Sequence, residues 1–134
     1  MTSVVRHAEA LGQKLGREPV VAIISRTPIF CEALVEVLED IAEVRRFPAD
    51  AADHVGLLRA VHPDAVVIDA EDGIEGATEF ASESSAALLH ISLVHGTLRT
   101  WHRSGWSQVE NTGWSPESIR NALLAELYRL DGDS

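Results

Sequence analysis

The sequence predicts an α/β fold in which a central parallel sheet is covered by helices on both faces. Three observations lead there. Val20-Val21-Ala22-Ile23-Ile24 and Ala65-Val66-Val67-Ile68 are apolar at every residue, the composition of strands buried on both sides. Strand and helix signals alternate along the chain from residue 20, the pattern of a doubly wound sheet with right-handed crossovers. The second run leads directly into Asp69, a carboxylate at the carboxyl end of a strand, where open α/β sheets place ligands and chemistry.

Residues 1–18 read as an N-terminal extension. Val4, Ala8, Leu11 and Leu15 recur at helical spacing behind Thr2 or Ser3 as a cap, and Gly12, Gly16 and Pro19 limit and then end that helix. It is an appendage packed on the domain, a frayed terminus or a dimerisation arm. The domain proper covers residues 19–131, and 132–134 form a tail. After the first strand, Thr27-Pro28 supplies a cap and a first-turn proline. Phe30, Ala33, Leu34, Val37, Leu38 and Ile41 make the buried stripe of the first helix, leaving Glu32, Glu36, Glu39 and Asp40 largely on a solvated face.

Glu43-Val44-Arg45-Arg46-Phe47 is a polar strand suited to a sheet edge. Val55, Leu57, Leu58 and Val61 mark a second helix that stops before Pro63. Beyond Asp69, a weaker helix spans 74–81, and Ala87-Leu88-Leu89-His90-Ile91-Ser92-Leu93 forms the fourth strand. A short fourth helix near 97–103 and a fifth strand near 106–110 complete the sheet. Ser115 caps the last helix, Pro116 opens it, and Ile119, Leu123, Leu127 and Leu130 line one face.

A chain of 134 residues can bury its own core as one domain, without disulfide or metal support. The single cysteine, Cys31, rules out an internal disulfide and fits a reducing cytosol. No apolar run reaches membrane-spanning length and the N-terminus lacks a signal-peptide core, so a cytoplasmic protein with no membrane contact is expected. With 21 acidic and 11 basic residues, the formal net charge of −10 argues against direct contact with nucleic acid.

Ile24 to Leu34, the Pro63-to-Asp69 segment, Ser92, Gly105 and Trp114-Ser115-Pro116-Glu117 together form an ordered set of landmarks. In that order they resemble the receiver domains of bacterial response regulators, closest in flavour to those of LuxR-type regulators. The resemblance covers residues 19–131, although the interval from Asp69 to Ser92 is short by several residues. It implies a flavodoxin-like (βα)5 three-layer sandwich with a central parallel five-stranded sheet, with Asp69 at the phosphoacceptor position.

The same resemblance marks the site as degenerate. Receivers end their first strand with two acidic residues that hold Mg²⁺; this chain has Ser25 and Arg26 there. They place a lysine after the fifth strand, where this chain has Thr112, and an aromatic residue on the fifth strand, where it has Val109. Mg²⁺ wants several oxygen ligands, and Asp69 alone is a thin set. Phosphoryl transfer depends on metal and cation to neutralise charge. Ser92 keeps the hydroxyl position as either a switch residue or a plain serine at the edge of the core. Arg26 could pair with Asp69 through its planar donor fork, or point to solvent while Asp69 hydrogen-bonds its own loop.

The chain is expected to be an atypical, phosphorylation-independent receiver: a regulatory interaction module without enzymatic activity, cofactor or metal. It would act as the input part of a transcription regulator or alone. If the chain is a fragment, a helix-turn-helix domain could follow Ser134. A receiver still phosphorylated on Asp69 by a histidine kinase, and a sensor that binds a small ligand, are the alternatives. The histidines lack zinc-ligand spacing, and no nucleophile elbow, P-loop or dinucleotide fingerprint occurs. Trp101, Trp106 and Trp114 crowd one stretch. With Leu124 and Tyr128 they form a candidate homodimer or partner interface, or else they fill a core left thin by a short helix.

Overall fold

The two wholly apolar runs lie in the centre of one sheet. A computed structural model describes residues 18–102, 105–108 and 115–132. The elements are β1 Val20–Ser25, α1 Pro28–Leu38, β2 Glu43–Pro48, α2 His54–Val61, β3 Ala65–Ile68, α3 Ile74–Ser84, β4 Ala87–Ser92, β5 Thr97–His102, β6 Gly105–Gln108 and α4 Pro116–Gly132. The strand order is β2-β1-β3-β4-β5-β6. The first four strands are parallel, and β5 and β6 are antiparallel to their neighbours. The expected N-terminal helix, Val109, Thr112, Trp114 and the side chains of Tyr128 and Leu130 lie outside the described residues. No helix among those described is long and apolar enough to cross a membrane.

Strand alternation divides the core in two. Val21, Ile23, Val67, Leu89 and Ile91 point to one face, where Phe30, Cys31, Leu34 and Leu38 of α1 and Ile119, Leu123, Leu124 and Leu127 of α4 cover them. Ala22, Ile24, Val66, Ile68 and Leu88 point to the other, beneath Leu58 of α2 and Ala77, Phe80 and Ala81 of α3. Each fully buried aliphatic side chain contributes about 1.5–3 kcal/mol. At the start of the sheet Asp64 ties three strands: its carboxylate and amide bond Val20 across to β1, and its carbonyl accepts the Ala87 amide of β4.

The helix ends follow local rules. Pro28 opens α1, though Thr27 at the cap position makes no side-chain capping bond. Asp53 caps α2 by accepting from the Gly56 amide at 3.0 Å. Ser115 and Ser118 cap α4 reciprocally, each hydroxyl accepting from the other's amide, at 3.1 and 2.7 Å. Arg120 of α4 donates to the Val37 carbonyl and the Asp40 carboxylate at the end of α1, so Asp40 is not merely solvated.

The expected five parallel strands are corrected in the C-terminal third. Where a fourth helix was expected near 97–103, the chain forms β5, and with β6 this gives six strands, two of them antiparallel. The reason is local. Only residues 93–96 separate Ser92 from Thr97, with Gly96 at φ +66° and its amide bonded to the Ser92 carbonyl, a hairpin turn rather than a crossover. In Thr97-Leu98-Arg99-Thr100-Trp101, Leu98 and Thr100 are buried on the α1/α4 face, while Trp101 packs on the α2/α3 face. That is a period of two, from residues that favour strands. As expected, β2 lies at an edge of the sheet.

Candidate functional site

The carboxyl ends of β1, β3 and β4 converge around Asp69, whose amide donates to the Ile24 carbonyl at 3.2 Å. Both carboxylate oxygens of Asp69 have protein partners. Oδ2 accepts the Ser25 hydroxyl at 2.7 Å, and Oδ1 accepts the Arg26 backbone amide at 3.0 Å. Ser25 Oγ in turn accepts the Thr27 amide at 3.0 Å. A hydroxyl has one proton, and the charged carboxylate at 2.7 Å is a better acceptor for it than the Thr27 carbonyl at 3.1 Å. Asp69 thereby clasps the β1–α1 turn to the end of β3.

Arg26 does not pair with Asp69 through its side chain. The guanidinium forms an ion pair with Asp72, in a position about as exposed on both sides as an ordinary surface pair. The expected Arg26–Asp69 side-chain pair is therefore corrected: the Arg26 amide serves Asp69, and its largely exposed guanidinium meets Asp72 in the next loop. The Asp69 half of the second possibility, a carboxylate hydrogen-bonding in the loop region, holds. The reason is reach, since Arg26 starts the turn beyond β1 and its long side chain extends past Asp69 toward Asp72.

The residues present do not fit a Mg²⁺ centre of the receiver type. Each Asp69 oxygen already accepts a protein hydrogen bond, Ser25 spends its hydroxyl proton on Asp69, and Arg26 adds a cation to the same corner. Among the described residues, no group of three or more His, Cys, Asp or Glu is arranged to hold a metal ion. Ser92 closes β4, and its hydroxyl accepts the His95 amide at 3.2 Å inside the hairpin turn. A groove of about 730 Å³ opens beside the clasp, between the loops that follow β2 and β3, and Asp50, Asp53, Glu71, Asp72 and Glu75 make its lining acidic.

A second constellation was missed because Arg99 and Trp101, which link its residues, were expected in a helix. His90, 4% exposed, sits opposite Ile68 on β3 and Arg99 on β5. Arg99 Nε donates to His90 Nδ1 at 3.0 Å, and the guanidinium carbon lies 4.4 Å from the centre of the Trp106 ring. Trp101 faces Trp106 across the hairpin, edge to face at 5.3 Å. Burial first, and the Arg99 charge second, push His90 below its ordinary 6.5, while Glu71 and Asp69 pull the other way. The neutral ring with Nδ1 as acceptor fits the Arg99 bond. The alternation of residues 97–101 was the signal that could have located this cluster.

The expected interface is split by the fold. Leu124 is 5% exposed and belongs to the core beneath α1 and α4, not off the buried stripe of the last helix. Trp101 and Trp106 pack against the opposite face of the sheet. No single surface can therefore hold all three. Comparison of the chain with protein-family models and with curated proteins finds no match.

Proposed function

We propose that this domain is a degenerate receiver-like module that regulates through protein contacts and does not pass phosphoryl groups through Asp69. The observation that carries this reading is the clasp: the carboxylate at the phosphoacceptor position is held by Ser25 Oγ and the Arg26 amide. An acceptor whose two oxygens each accept a protein hydrogen bond, with no group of three metal-ligating side chains arranged around it among the described residues, is a poor nucleophile. The order β2-β1-β3-β4 matches the start of the flavodoxin-like order and supports that arrangement for the parallel half. Such a module suits the input side of a transcription regulator, and its net charge of −10 leaves nucleic-acid contact to other segments.

Intact-mass measurement after incubation with Mg²⁺ and a small acyl phosphate tests the reading. The mass is expected to stay unchanged, and Mg²⁺ titration followed by amide shifts should not saturate below millimolar concentrations. A phosphoryl adduct that Asp69→Asn abolishes would overturn it. The acidic groove beside the clasp favours one second reading, the sensing of a small cationic ligand. Saturable shifts of the Glu71 and Asp72 amides with small diamines would support that alternative.

A further inference from the structure

The two edges of the sheet are built differently. On β2, Glu43, Arg45 and Arg46 carry charge and Pro48 ends the strand, the usual devices that keep an open edge from pairing with another chain. On β6, Gly105-Trp106-Ser107-Gln108 carries no charge and no proline. Among the described residues β6 pairs only with β5, and Gly105, Ser107 and Gln108 are exposed. An unguarded edge of this kind offers its outward backbone amides and carbonyls to another strand.

Charge decides which strand. The chain carries 21 acidic residues, yet there is none between Glu83 and Glu110. Over most of its surface a second copy meets the first with like charge, since each has a net charge of −10. The stretch holding β4, β5 and β6 is the place on the sheet where two copies approach without opposing carboxylates in those strands. A neutral antiparallel edge is also self-complementary: turned about a two-fold axis, it presents donors to acceptors and acceptors to donors, and the contact closes at two subunits. Pairing of β6 with β2 of the next copy would instead propagate, and β2 is guarded.

From this we infer that β6 is a homodimerisation edge, at which two copies pair antiparallel through Gly105–Gln108 and join their sheets across a two-fold axis. The inference does not rest on the receiver reading, because edge chemistry and charge carry it alone. It replaces a patch shared by Leu124 and the tryptophans with an edge in which Trp106, half-buried against Trp101 and Arg99, stiffens the strand.

Sedimentation velocity of the full chain over a concentration series is the first measurement. A dimer is expected, with amide exchange at Trp106 and Gln108, whose backbone groups face away from β5, slowing as concentration rises. Ser107→Glu places a carboxylate beside its symmetry mate and should weaken the dimer by about ten-fold or more. Arg45→Glu on β2 should leave it unchanged. Circular dichroism checks that both variants fold. A chain that stays monomeric at several hundred micromolar would overturn the inference. So would a dimer indifferent to Ser107→Glu, or one that Arg45→Glu dissociates.

Discussion

In the parallel half of the sheet, partners come from far apart in the chain, as when Val21 of β1 meets Ala65 of β3. In the C-terminal hairpins the partners are near neighbours: Ser92 meets Thr97 and Trp101 meets Trp106. The central strands of the first region, β1 and β3, are apolar on both faces and sealed by two helical layers, with the clasp at their rim. The second is amphipathic, with polar and aromatic side chains in contact on one face. Burial in the first is enforced by the whole fold; in the second it depends on a few cross-strand contacts. The same substitution should therefore have different consequences in the two regions.

Leu→Ala at Leu34 and at Leu98 is the strongest way to break that comparison, because both side chains belong to the same core face. Leu34 is sealed between the sheet and its helices, so Leu34→Ala should cost about 3–5 kcal/mol in urea melts. Leu98 lies on the penultimate strand, where neighbours can close the gap, and about 2–3 kcal/mol is expected. Equal losses would show that the hairpin is as tightly constrained as the parallel half.

Next in size is the clasp. Asp69→Ala leaves the Ser25 hydroxyl and the Arg26 amide without their acceptor at a half-exposed site, which should cost about 1–2 kcal/mol. Asp69→Asn keeps one acceptor oxygen and should lose less. Additivity of Ser25→Ala with Asp69→Ala in a double-mutant cycle would show that the two side chains are energetically independent.

The parallel half was legible because both of its signals are local and strong. Short unbroken runs rich in β-branched residues and bounded by turn or cap signals have the composition of buried strands, and Thr27-Pro28 and Ser115-Pro116 mark the starts of helices. Asp69 could be singled out for the same reason, as the first polar residue after such a run. The hairpin was misread because a family pattern calls for a crossover helix there, while the turn chemistry of Leu93-Val94-His95-Gly96 calls for a reversal. The partner of Arg26 was not legible. Asp69 and Asp72 lie three residues apart, and only the path of the loop after β3 decides which of them the guanidinium reaches.

A smaller, pH-dependent effect separates the two regions again. His90 is held below its ordinary value of 6.5, so the unfolded chain takes up a proton before the folded one does. Its contribution is fully present above about pH 6.5 and declines as the pH falls below that value. Measured against His90→Gln, wild type should lose more stability between neutral pH and mild acid; parallel stability profiles would remove His90 as the cause. The smallest effect is expected at Trp101, whose indole nitrogen is buried with no hydrogen-bond partner among the described residues. Trp101→Phe loses packing but also removes that unsatisfied donor, so a net change within about 1 kcal/mol is expected by thermal melting.

Cys31 gives the α1 layer a clock. The thiol is 8% exposed, and burial pushes its ionisation upward, so at neutral pH a thiol reagent finds neither access nor thiolate while α1 rests on the sheet. Modification must wait for that layer to lift. Its rate, followed through rising denaturant, therefore measures how often the layer opens and whether it opens alone or only with the whole molecule. A single buried sulfur, with no second thiol in the chain to confuse the signal, makes that opening countable without any engineered probe.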